Sequence, residues 1–173
     1  MIKQTGLFLL GVLASTAVHS ALASSRQDDQ ATAEPLKRVT GIGGIFFKCE
    51  HPEAMRAWYG QHLGFATNPY GSMFEFRPVD APDHVANLQW SVFPATTKYF
   101  EPSTKPFMIN YRVAALEPLL ERLVDEGVEV VGDLESTPYG KFAHVLDPEG
   151  NKIELWEPVD EVRPAAKDAP ATR

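Results

Sequence analysis

Between residues 41 and 156 a strand, a helix and three strands occur twice in the same order, so the chain must fold in a way that accommodates two copies of one unit. In the first copy, Gly41 to Lys48 is a strand-like run containing Ile45, Phe46 and Phe47. Pro52 then opens a helical pattern with Met55, Trp58, Tyr59 and Leu63 at helical spacing, and Gly64 stops it. Three short strands are predicted around Ala66 to Asn68, Met73 to Arg77 and Asn87 to Phe93. The second copy begins at Phe107 to Val113 and continues as a helical stripe of Leu116, Leu119, Leu120, Leu123 and Val124 that Gly127 ends. Val128 to Val131, Phe142 to Leu146 and Lys152 to Trp156 complete it. Two tandem βαβββ modules place the chain in the α+β class.

The last two strands carry the most chemistry. Asp147 to Asn151 put Pro and Gly between two apolar runs, which is the composition of a tight hairpin connection. If Leu146 pairs with Lys152, His144 lies opposite Glu154 on one face, where the pair could hold a proton or a metal or simply form a polar contact. Upstream, Trp90 to Phe100 joins the two halves and combines four aromatics with hydroxyls and a lysine. It could wall a cavity or pack as a connector, and its spacing does not choose between them.

The phrase Asp147-Pro148-Glu149-Gly150-Asn151 followed by Ile153-Glu154-Leu155 resembles the closing motif of the vicinal oxygen chelate superfamily, which contains glyoxalase I, extradiol dioxygenases, fosfomycin-resistance enzymes and bleomycin-resistance proteins. The resemblance covers residues 39–158. It implies a curved mixed sheet of eight strands around a cavity, with helices outside. It also implies that a metal, where one is used, is held from the first and last strands of each module. Glu154 fits that pattern, and sliding back one repeat gives Gln89, but Gly44 and Met108 fall where the histidines of metal-dependent relatives stand. Glycine offers no side chain, and a thioether suits soft copper better than zinc or iron. A carboxylate and an amide alone would hold Mg²⁺ or Ca²⁺ weakly. The resemblance therefore implies a degenerate metal site, with a divalent metal at Glu154, beside His144, as the cofactor left open. His51, His62 and His84 are expected at the surface or at caps.

The ends of the chain bound its setting. Met1 to Ala23 has Lys3, an apolar run from Leu7 to Val18 and the small-residue site Ala21-Leu22-Ala23, the pattern of a signal peptide. A secreted or periplasmic product is expected, with no membrane association after cleavage. Residues 24–38 read as a flexible linker and 159–173 as a disordered tail, leaving residues 39–158 as the domain. The formal charge is -7, and removing Lys3 with the leader makes it -8; with no basic run, nucleic acid is disfavoured. The only cysteine, Cys49, excludes an intrachain disulfide and is expected to be packed.

On these grounds the cavity is expected to be lined by Phe46, Gln89, Ser91, Met108 and Asn110 with Glu154, an apolar wall with a few polar groups that suits a small molecule. Lys48 and Arg112 share that face, but at strand ends their long stems are expected to reach solvent. Three functions are consistent with this. One is a glyoxalase-like lyase, isomerase or dioxygenase with Glu154 as general base, its pKa raised by a dry pocket, and His144 assisting. Another is a module that captures a small molecule without chemistry. The third is a partner-binding domain in which Glu154 only pairs a cation. Both modules lie in one chain, so a monomer could hold a complete site, and a homodimer is also compatible.

Overall fold

The computed structural model describes residues 38–162. The expected leader, the linker up to residue 37 and the tail beyond residue 162 lie outside the described residues. The elements run β1 (Val39–Cys49), α1 (Pro52–Leu63), β2 (Thr67–Asn68), β3 (Gly71–Phe76), β4 (His84–Pro94), β5 (Phe107–Val113), α2 (Leu116–Asp125), β6 (Val130–Thr137), β7 (Gly140–Leu146), β8 (Lys152–Pro158) and β9 (Glu161–Val162). They form one mixed sheet in the order β2-β3-β4-β1-β5-β8-β7-β6, with β9 against β4. The two modules meet at their first strands, since β1 pairs antiparallel with β5 while each pairs in parallel with the last strand of its own module. The α+β class and the two βαβββ modules thus stand as expected. Among the described residues no helix is long and apolar enough to cross a membrane.

Register corrects one detail of the repeat. Gly44 lies opposite Gln89, whereas Asn110, not Met108, lies opposite Glu154. Met108 and Asn110 differ by two positions and so share a face, which is why a slide along the sequence could not separate them. Irregularities in β1 between Val39 and Gly44 add to the offset.

The two helices cover the outer face unequally. α2 is amphipathic and buries Leu116 and Leu119 in a cluster with Val113, Ala143, Val145 and Leu155. Its first N–H is capped from β8, where Glu157 Oε2 accepts from Leu116 N at 2.6 Å. α1 starts at Pro52 and ends at Gly64, whose φ of 72° suits glycine. Of its expected apolar stripe, Tyr59 packs on Trp90 and Phe65, while Trp58 and Leu63 stay exposed. The closing hairpin is stapled by its own turn residues. Asp147 accepts from Glu149 N, Asn151 N and Asn151 Nδ2 at 3.0, 2.8 and 2.6 Å, and Gly150 takes φ 74°.

Two of the expectations at the end of the domain need correcting. The folded chain continues past Pro158, because β9 pairs antiparallel with His84 and Val85 of β4. Arg112 does not reach solvent; it is 4% exposed, donates to Asp160 Oδ2 and to Asn87 O, and lies over the rings of Trp156 and Phe76. A guanidinium buried at the sheet end needs a carboxylate, and the crossing of residues 159–162 supplies it. Replacing Asp160→Ala is therefore expected to cost about 3 kcal/mol, read from the urea midpoint; a loss below about 1 kcal/mol would mean that water satisfies Arg112 equally well.

Candidate functional site

Glu154 sits on the inner face of β8, 3% exposed, with every oxygen engaged. His144, its cross-strand neighbour on β7 as the hairpin register requires, places Nε2 3.1 Å from Oε1. Asn110 on β5 donates from Nδ2 to Oε2 at 2.6 Å. Tyr99, from the β4–β5 connector, donates its hydroxyl to Oε1. Because a carboxylate only accepts, His144 must carry its proton on Nε2. Three donors from three separate segments thus converge on one anion.

The electrostatics follow from that arrangement. Burial pushes the Glu154 carboxyl upward, but the hydrogen bonds from His144, Tyr99 and Asn110 outweigh it and hold the group below its ordinary value. This reverses the expectation of a raised pKa. The Tyr99 phenol is moved the other way, well above its ordinary value, by burial of its hydroxyl end first and then by the Glu154 charge and hydrogen bond. Lys152 stands on the same strand and face, donates to Tyr99 O at 2.8 Å, and has its pKa lowered by burial against the pull of Glu154.

The connector acts as a strap over this pocket. Phe100 is fully buried against Phe46, Met108 and Phe93, and Tyr99 stacks on Phe93 with rings 5.5 Å apart and 6° from parallel. Lys48 is half-buried, with its ammonium 5.3 Å from the centre of the Phe100 ring. Of the Trp90–Phe100 block, Trp90 to Pro94 belong to β4, and the packed-connector alternative holds for Phe100 in the connector that follows. Phe46, Met108 and Asn110, expected on the cavity wall, are placed in the packed interior beneath the strap.

A metal does not fit the donors at Glu154. Among the described residues no three of His, Cys, Asp and Glu come together. Both Glu154 oxygens already accept from protein donors, and Gly44 and Met108 contribute no ligand of the required kind. Gln89 stands on β4, separated from Glu154's strand by β1 and β5, and its amide nitrogen is bound to Tyr70 O, Trp90 O and Ser91 Oγ.

The open space lies elsewhere. A groove of about 900 Å³ runs along the rim of the first module, between the start of α1 (Glu50, His51, Glu53, Arg56), the β2–β3 turn (Pro69, Tyr70) and β4 (Gln89, Ser91, Phe93). Two of the expected binding residues, Gln89 and Ser91, line it, while Glu154 and His144 do not. Sequence reasoning reached Tyr99 only as part of the Trp90–Phe100 block and missed Tyr70, because an exposed turn tyrosine carries no spacing signal.

A two-module βαβββ sheet with a buried carboxylate on its last strand defines the class of this protein. The profile of the Glyoxalase/Bleomycin resistance protein/Dioxygenase superfamily matches residues 41–155, and the chain belongs to that superfamily. Its fold is shared with a variant of Streptomyces coelicolor methylmalonyl-CoA epimerase in complex with 2-nitronate-propionyl-CoA, at TM-score 0.52 and 18% identity over 73% of this chain and 99% of that one. It is also shared with methylmalonyl-CoA epimerase in complex with methylmalonyl-CoA and NH4+, at TM-score 0.51 and 17% identity over 76% and 100%. Mycobacterium tuberculosis methylmalonyl-CoA epimerase is 20% identical over 71% of this chain and 91% of that one, at TM-score 0.48. Among curated proteins none matches the chain by sequence.

The Glu154 cluster makes a specific claim about stability. A carboxylate whose folded pKa is depressed contributes stability that is present above its unfolded value of about 4.3 and is lost as the pH falls through the folded value. Glu154→Gln is expected to destabilise the domain by about 2–4 kcal/mol at pH 7 and to flatten the acid limb of a stability-against-pH curve measured by denaturant titration. An unchanged acid limb would show that other carboxylates carry it.

Proposed function

We propose that this protein is a metal-independent, small-molecule-binding member of its superfamily that takes its ligand in the rim groove, with Glu154 acting as an internal anchor. One observation carries the reading: the carboxylate that would act as base or metal ligand is held by three protein donors and buried beneath Tyr99, whereas the groove is open and bears Gln89 and Ser91. A general base has to reach a substrate proton within hydrogen-bond distance, and Glu154 is covered by its own chain. A groove of this size with aromatic walls and a few fixed polar groups is within the usual range for small-molecule sites. The fold alone does not choose a chemistry, since one scaffold hosts many.

Titration of the ¹⁵N-labelled chain with a mixture of small aromatic fragments is expected to shift the amides of Tyr70, Gln89, Ser91 and the first turn of α1, and Glu154→Gln should preserve that footprint below its melting temperature. Shifts centred on Tyr99, Asn110 and His144, or epimerisation of methylmalonyl-CoA that Glu154→Gln abolishes, would refute ligand capture at the groove. The leader pattern in Met1 to Ala23 supports export, to the periplasm or beyond. Amino-terminal sequencing of the protein made in its own cell should then begin at Ser24, and a cytoplasmic chain retaining Met1 would contradict export.

A further inference from the structure

On its β4 wall the groove accepts hydrogen bonds rather than giving them, while its donors, His51 and Arg56, stand on the α1 side. Gln89 Nε2 lies 3.3 Å from Tyr70 O, 3.2 Å from Trp90 O and 3.0 Å from Ser91 Oγ, so both of its hydrogens are used inside the protein. Two of these partners are main-chain carbonyls, which only accept, so the amide cannot be turned round and Oε1 is the end left for the groove. Ser91 gives its one hydroxyl hydrogen to Tyr70 O at 2.7 Å and accepts from Gln89 Nε2, which leaves it one lone pair and no hydrogen to give.

Charge points the same way. Glu50 and Glu53 stand in the wall with Arg56 and His51. With His51 neutral, two carboxylates against one guanidinium leave the wall negative by one charge. The α1 start works in the other direction, since His51 caps it with no side-chain bond, but Glu53 in its first turn already answers that positive end. At the lip, the Tyr70 ring is 81% exposed, yet its backbone is pinned: Tyr70 N donates to Asn68 Oδ1 at 2.8 Å, and Tyr70 O accepts from Ser91 and Gln89. A free ring on a fixed backbone loses little freedom when a flat or cationic group settles against it.

Resting on the reading of the groove as the ligand site, we propose that it takes a small organic cation, an amine-bearing compound with an aromatic body. Its N–H is received by Gln89 Oε1, its charge is balanced by Glu50 and Glu53, and its ring lies against Tyr70. Acceptor lone pairs on Gln89 and Ser91 have nothing to offer a carboxylate in the same position.

Tryptamine and indole-3-acetate share one ring system and carry opposite charges, which makes them a matched test. Followed by ¹H–¹⁵N NMR of the chain, tryptamine is expected to shift groove residues with a Kd at least about 10-fold below that of indole-3-acetate. Glu50→Gln with Glu53→Gln, on the exposed wall, should narrow that ratio, and Gln89→Leu should weaken tryptamine about 10-fold. If Gln89→Leu loosens the Tyr70 turn, the paired glutamate variant decides alone, and an unchanged ratio there overturns the proposal. Indole-3-acetate binding the same residues as tightly as tryptamine would overturn the ligand class and leave the groove reading intact. No groove shift from either compound at millimolar concentration would overturn both.

Discussion

The ionised Glu154 carboxylate is the constraint on which the inner face of this protein depends. An anion so deeply buried is tolerable only when its lone pairs are met, and here they are met by β5, β7 and the β4–β5 connector at once. Those three partners are far apart in sequence, so the carboxylate fixes their relative positions. Once Tyr99 is drawn to Glu154, Phe100 is carried into the cluster with Phe46 and Met108, and the inner face of the second module is filled by protein.

The two crossings of the inner face follow from the internal repeat. Each module ends in a strand after which the chain must leave its own half: residues 95–106 cross to the start of β8, and residues 159–162 cross to the start of β4. Each crossing is tied down by a buried charge, Glu154 in one case and Arg112 in the other. The ties differ in kind. Tyr99 brings an aromatic ring and a strap over the interior, whereas Asp160 brings only a carboxylate at the sheet end, so one half closes and the rim of the other stays open.

Much of this was legible in the residues. Helix starts and stops at Pro52, Gly64 and Gly127, the alternation of the strands and the Asp147–Asn151 turn are local signals, and each appears where its chemistry requires. The His144–Glu154 pairing was legible too, because a hairpin turn fixes register across two strands. What was not legible depends on contacts between distant segments. Met108 and Asn110 have the same parity, so only the β5–β8 register assigns Asn110 to Glu154. Arg112 looks like a strand-end residue until residues 159–162 arrive with Asp160. Tyr99 belongs to a block of aromatics whose pattern is equally that of a wall or a plug, and only the position of Glu154 decides it.

That decision bears on chemistry through a population argument. For Glu154 to meet a substrate, the strap would have to lift, exposing the fully buried Phe100 ring and part of Tyr99 and breaking a charge-assisted hydrogen bond. Those losses amount to roughly 4–7 kcal/mol. An open form that costly is present in about one molecule in 10³ to 10⁵, and any rate or affinity that requires it is reduced by the same factor. The groove at Gln89 and Ser91 requires no such opening. Between a hidden carboxylate held ionised by three donors and an open groove that bears Gln89 and Ser91, the same bonds that make Glu154 a good anchor make it a poor base. The proposed ligand site therefore lies in the half of the repeat that the strap leaves uncovered.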